Sequence, residues 1–184
     1  MTARVLDVCV VHQLLPDPGG RAGVTAIDKR PVDGPVKVGP YGLYRDVQAD
    51  RKHHGGLDQA VYVYADEDAR RWSAELGRDT PPGWFGENLR TTGIDVSGAR
   101  IGERWQIGAK VVVEVTKPRI PCQTFARWVG GDDERGWVKR FAQAGRPGAY
   151  LRIVQGGKVS AGDEIVVVDR PAGALSIAEV FAGG

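Results

Sequence analysis

Lys110-Val111-Val112-Val113-Glu114-Val115-Thr116-Lys117-Pro118-Arg119-Ile120-Pro121-Cys122 is the stretch that sets both the architecture and the chemistry of this chain. Val111, Val113 and Val115 recur at every second position, the period of a strand with one buried face. That strand delivers the chain into a segment stiffened by two prolines and ending in a cysteine. Arg119 stands three residues before Cys122, and a guanidinium favours the thiolate, the form in which cysteine attacks or binds metals. Free cysteine is also a common small core filler. The Arg and the prolines favour the chemical reading.

Working outward, short β-rich runs dominate, punctuated by Gly and Pro. Val5 to Gln13, Gly23 to Lys29, Val36 to Val38 and the aromatic, branched run Ala60 to Tyr64 read as strands. Ile101 to Trp105 leads into the 110–116 strand, and Ala149 to Val154 with Glu164 to Asp169 read as a strand pair, Gln155-Gly156-Gly157-Lys158 forming a turn. Helices are few. Asp66, Glu67 and Asp68 suit a helix N-terminus, Ala69, Trp72, Ser73 and Leu76 follow at helical spacing, and Gly77 suits the C-terminal cap. Further helical pieces are predicted over Gln123 to Val129 and over Glu134 to Ala144, with Trp137, Val138, Phe141 and Ala142 as the buried stripe and Gly145 as the stop. Many short strands and few short helices, without strand-helix alternation, predict a mainly β fold: a curled sheet or β-barrel.

The 184 residues suit one domain able to bury its own core. Cys9, in the strand-like Val8-Cys9-Val10-Val11, reads as core. Two cysteines in such different surroundings make no disulfide framework and fit a reducing compartment. The first residues carry no signal-peptide pattern and no apolar run approaches membrane-spanning length, so a cytoplasmic protein without a membrane partner is expected. With 25 basic and 23 acidic residues interspersed, the net charge of +2 argues against stable nucleic-acid binding. Local basic groups at Arg51, Lys52, His53 and His54, and at Lys117 with Arg119, could each hold a phosphate or carboxylate.

Three other features bear on chemistry. In His53-His54-Gly55-Gly56 the paired glycines let backbone amides approach an anion, or form a tight turn. As a metal site it is weak, because adjacent histidines diverge and His12 is remote in sequence. In Phe85-Gly86-Glu87-Asn88-Leu89, Glu87 could serve as acid or base and Asn88 could bond a heterocycle edge, or the pair could lock its own loop. Among the tryptophans Trp84, in a Pro/Gly loop, is the candidate to line a pocket.

Taken in order, Lys29 to Val38 (KRPVDGPVKV), Gln48 to Tyr64 (QADRKHHGGLDQAVYVY), Phe85 to Leu89 (FGENL) and Pro118 to Cys122 (PRIPC) resemble the MOSC domain, named for the C-terminal domain of molybdenum-cofactor sulfurase. The likeness is greatest to the small bacterial branch linked to resistance against N-hydroxylated purines, and it covers nearly the whole chain. It implies a single MOSC domain with a barrel-like (PK-barrel-like) β fold, binding molybdenum cofactor (molybdopterin) or a related sulfur-bearing species. The family's cysteine falls on Cys122, as molybdenum ligand or persulfide carrier; its histidine and glycines fall on His54, Gly55 and Gly56, and its acid-amide pair on Glu87 and Asn88. Arg119 and Lys52 are the expected phosphate contacts, chosen from charge and position.

In one mechanism Cys122 ligates molybdenum and an N-hydroxylated small molecule loses oxygen, with the proton from Glu87 or His54. No cysteine cluster or GxGxxG fingerprint is present, so electrons must come from a separate reductase. In the other, Cys122 carries a persulfide or docks the cofactor for delivery without turnover; a domain that binds nothing is a third. Pyridoxal phosphate is not expected, because no lysine has a setting that marks a Schiff-base former. The chain departs from the pattern in two places. Arg45 stands where relatives have a glycine before Asp46, predicting an altered turn near the pocket. At the end, a short Leu175 to Phe181 helix stands in place of the relatives' helical appendage, so no separate C-terminal helical domain is expected and a redox docking site is missing or supplied by another protein.

Overall fold

In the computed structural model, which describes residues 2–20, 22–49, 55–130 and 136–183, the valines of the 110–116 segment lie in one strand of a large mixed sheet. The strands are β1 (Arg4–Val11), β2 (Leu15–Pro16), β3 (Val24–Thr25), β4 (Lys29–Pro31), β5 (Val36–Gly39), β6 (Gly42–Leu43), β7 (Val61–Ala65), β8 (Leu89–Thr92), β9 (Arg104–Ile107), β10 (Val111–Pro118), β11 (Ala149–Gln155), β12 (Gly157–Val159) and β13 (Ile165–Asp169). The helices are α1 (Asp66–Leu76), α2 (Gln123–Gly130), α3 (Trp137–Ala144) and α4 (Ile177–Ala182). Eight strands pair in the order β13-β9-β10-β11-β7-β8-β1-β4, antiparallel except for β7 beside β8. Parallel neighbours require a crossover. Here it is α1 and the loop after it.

The sheet curls until Arg4 meets Glu164 in a single antiparallel bridge, with the Val5 amide on the Asp163 carbonyl at 2.9 Å. It is a curled sheet and not a closed barrel. Inside the curl sit the apolar faces of its strands, including Val5, Val63, Val113, Val115, Leu151 and Trp105. A second, aromatic core lies against α1, α2 and α3, built from Tyr64, Trp72, Phe85, Phe125, Trp137 and Phe141. Phe85 stacks on Tyr64 with ring centroids 4.3 Å apart, and Phe125 meets Phe141 edge-on at 5.1 Å. Burying such rings contributes about 2–3 kcal/mol apiece.

Several expectations change. The predicted 149–154 and 164–169 strands exist but do not pair: β11 lies between β10 and β7, and β13 pairs with β9. Residues expected to turn instead form β12, which crosses to pair with β5, because Gly156 brings its backbone against the Val38 carbonyl, 2.7 Å from where a Cβ would sit. The predicted 23–29 strand reduces to β3 and the start of β4. Strand β8, too polar in Leu-Arg-Thr-Thr to be predicted, is nearly all buried. Helix α1 begins and ends as expected, with Gly77 at φ 63° donating to the Ser73 carbonyl. In α3 Trp137 and Phe141 are buried but Ala142 is exposed, and the expected start at Glu134 lies outside the described residues.

Arg45 adopts φ 73°, the left-handed conformation natural to glycine, so the turn keeps its shape without one. Beside it, Asp46 is aimed inward at the Val11 amide of β1 and the Lys29 side chain of β4. An arginine there is strained by about 1–2 kcal/mol. Arg45→Gly is expected to melt above Arg45→Ala, by the equivalent of about 1 kcal/mol. Equal melting temperatures would show that the turn holds no strain.

Candidate functional site

Strand β10 ends at Pro118, the chain runs through Arg119 to Pro121, and α2 begins after Cys122, whose carbonyl accepts from the Ala126 amide at 3.1 Å. Cys122 thus opens the first turn of a helix, where the aligned amides favour negative charge. Its thiol is partly exposed on the wall of a cleft of about 520 Å³. Cys9 is buried in β1, and burial, with Glu87 and Asp7 nearby, pushes its thiol far above the ordinary cysteine range. The two thiols differ in setting: Cys9 is in the core, and Cys122 is on the cleft wall.

Arg119 is also on the cleft wall and is almost wholly buried. Its Nη1 donates to the Phe85 carbonyl at 2.7 Å, and its guanidinium lies 4.3 Å from the Phe125 ring centroid and 5.1 Å from that of Tyr62. Its Nε has no hydrogen-bond partner. Burial works against the charge, but Tyr150, Tyr62 and Cys122 more than offset it and hold the guanidinium above its ordinary pKa. A guanidinium on the cleft wall that no carboxylate among the described residues pairs supplies positive charge to which a bound anion would be drawn.

The cleft also contains a pair that sequence reading missed. Lys29, at the start of β4, is bonded to Asp46. Asp46 also accepts from the Asn88 side-chain amide at 2.8 Å and the Val11 backbone at 2.9 Å. Burial pushes the Lys29 amine below the usual lysine range, with Asp46 only partly offsetting it. The visible signal was Lys29 at the head of KRPVDGPVKV; what was not visible was Asp46 folding back across the sheet.

The acid-amide pair divides. Asn88 reaches the cleft, accepting from the Tyr62 amide at 3.1 Å and donating to the Cys9 carbonyl at 3.2 Å. Glu87 does not. It is fully buried behind the wall, accepting from the Gly83 amide at 2.8 Å, the Phe85 amide at 2.9 Å and Arg90 Nε at 2.8 Å. This loop-locking geometry leaves it no free face toward a substrate. Gly83, at φ 87°, presses on the Lys29 carbonyl, where a Cβ would come within 2.1 Å, so the loop buttresses the cleft floor from behind.

Gly56, at φ 91°, donates its amide to Gln48 Oε1 at 2.9 Å. That amide is therefore taken within the protein, and of the described residues Gln48, not Gly55 or Gly56, lines the cleft. Lys52 and His54 lie outside the described residues. Trp84 is not on the cleft wall; its ring packs on Phe85 and Trp137. The β2–β3 hairpin closes over one side. Its Asp17 accepts from Thr124 Oγ1 at 2.6 Å and pairs with Arg127, both in the first two turns of α2 after Cys122.

Over residues 50–166 the sequence matches the MOSC domain. The chain belongs to the MOSC family. It is 33% identical to the protein YflK of Bacillus subtilis (strain 168) over 86% of this chain and 70% of YflK. It is 32% identical to a protein of Gibberella moniliformis named reductase, over 80% of this chain and only 26% of that larger protein. Among solved structures it superposes on YiiM from Geobacillus stearothermophilus with TM-score 0.78 and 29% identity, covering 97% of this chain and 82% of that one.

This MOSC chain has no group of three or more His, Cys, Asp and Glu among its described residues that could hold a bare metal ion. A lone thiol and a buried guanidinium on the wall of one cleft suit a metal that brings its own sulfur ligands and an anionic tail. The residues present fit molybdenum cofactor. No helix among the described residues is long and apolar enough to cross a membrane.

Two outcomes test the geometry. Glu87→Ala leaves the buried Arg90 with only the longer Asp66 carboxylate contact at 3.3 Å and strips the Gly83 and Phe85 amides of their acceptor, so it should cost about 3–5 kcal/mol in urea unfolding, whereas a purely catalytic Glu87 would leave stability unchanged. Asp17→Asn should release the hairpin, speed Cys122 labelling by a disulfide reagent several-fold at neutral pH, and cost about 1 kcal/mol. Burial pushes the Asp17 carboxyl up, but Thr124 and Arg127 outweigh it and hold it below its ordinary range. Its stabilisation is therefore complete above the unfolded-state value and is lost as pH falls through the folded one. The gap between wild type and Asp17→Asn should narrow below about pH 4.

Proposed function

We propose that this MOSC protein binds molybdenum cofactor with Cys122 as the metal's protein ligand and reduces N-hydroxylated small molecules with electrons from a separate reductase. The observation that carries this reading is that Cys122 and the buried Arg119 line one cleft. The protein named reductase among the relatives supports a redox activity. When bound, the cofactor would supply two electrons to the N–O bond, which with two protons yields the amine and water.

This chain's own residues divide the remaining work. Cys122 offers a soft thiolate, suited to molybdenum beside sulfur co-ligands. Arg119 would offer its positive charge to the anionic end of the cofactor, and the rings of Tyr62 and Phe125 fix its plane. Lys29 has its amine pushed toward neutrality by burial, which makes it a better proton donor than a solvated lysine and the source that replaces Glu87. Asp46 fixes its position.

A second reading is favoured by the partial exposure of Cys122: it carries a persulfide that a reductant discharges as sulfide. Molybdenum and phosphorus content per chain, measured by elemental mass spectrometry on protein from a cofactor-producing host, separates the two. Near-stoichiometric molybdenum in wild type, lost in Cys122→Ser, is expected. Metal retained by Cys122→Ser would remove Cys122 as ligand. Metal absent from both, in a host that loads a control molybdoenzyme, with sulfide release dependent on Cys122, would transfer the assignment to the carrier.

A further inference from the structure

The turn that places Asp46 in the Cys122 cleft places Arg45 in a different one. This second cleft, of about 470 Å³, has an apolar wall of Val10, Val32 and Val36, and Lys37, Arg45 and Lys158 around it. Its size is that of small-molecule sites. Tyr44 also lines it and is 68% exposed, an aromatic face without cover.

Two local rules are broken together here. Lys37 and Lys158 are directly opposed on β5 and β12, and like charges in cross-strand register weaken the pairing. Beside them Arg45 holds a glycine-like conformation. Among the described residues none of these three cations forms an ion pair. Strain and repulsion retained at one spot are the marks of a site kept for a ligand. The only carboxylate lining the cleft is that of Asp33.

We propose that this cleft binds a polyanion carrying a flat apolar body, of the nucleoside polyphosphate class. Lys37, Arg45 and Lys158 take the charged head, Tyr44 and the valine wall take the base, and Asp33 accepts from a sugar hydroxyl or a base amino group. The site is independent of Cys122 and of the function proposed for it.

Calorimetric titration of the full chain with ATP, beside inorganic tripolyphosphate as the head alone, tests it. Saturable ATP binding is expected, weakened about tenfold or more in Lys37→Ala/Lys158→Ala and weakened by added salt. The double variant should melt at or above wild type, because a like-charge pair has been removed. Tyr44→Ala should weaken ATP several-fold and leave tripolyphosphate unchanged. No saturable ATP binding overturns the proposal, and so does unchanged affinity in the double variant, the result if ATP enters the Cys122 cleft. Equal losses of ATP and tripolyphosphate in Tyr44→Ala would overturn the role of the base.

Discussion

One buried carboxylate organises the site without entering it. Glu87 neutralises Arg90 inside the protein and gathers the Gly83 and Phe85 amides onto the same two oxygens. That fixes the loop from Gly83 to Asn88 as a rigid bracket between the two cores. From the bracket, the Phe85 carbonyl orients Arg119, the Phe85 ring fills the aromatic core, and Asn88 ties β7 to β1 through Tyr62 and Cys9. Asn88 then holds Asp46, which holds Lys29. A buried ion pair contributes little net stability, since desolvation offsets its attraction, but losing one partner leaves a costly unpaired charge. Its value here is positional.

The cleft that results is anchored, and its charge is directed. Lys29, Arg119 and Arg127 all line it, but Asp46 and Asp17 on the same wall match the first and last, so the net positive charge lies at Arg119, which the Phe85 carbonyl holds in place before a ligand arrives. Preorganised charge of this kind stabilises an anion without reorganisation on binding. Cys122 stands among them because β10 and α2 meet at the Pro118–Pro121 segment. The strand fixes one end of that segment and the helix the other, so the thiol inherits the rigidity of both.

Much of this was legible in the residues. The valine alternation of β10, the capped α1 and the proline-held Cys122 depend on neighbours close in sequence, and the structure repeats them. The unpredicted parts depend on distant partners. Strand β8 is buried although polar because Arg90 finds Glu87, Asp66 and the carbonyls of Thr80 and Pro81. Lys29 acquires its setting from Asp46, and Asp17 acquires its role from α2. Gly56 was readable as a position that needs glycine, but not as one whose amide Gln48 already takes. Period and turn chemistry report an element's own face; they do not report which residues another element brings to it.

The central claim is that the Cys122 sulfur is the protein's ligand to molybdenum in this cleft. X-ray absorption at the molybdenum edge tests it most directly, on protein loaded in a cofactor-producing host, beside Cys122→Ser loaded with cofactor in vitro. The account predicts one more sulfur in the metal's first shell in wild type than in the variant, with oxygen in its place in the variant. Identical first shells in the two proteins would contradict it.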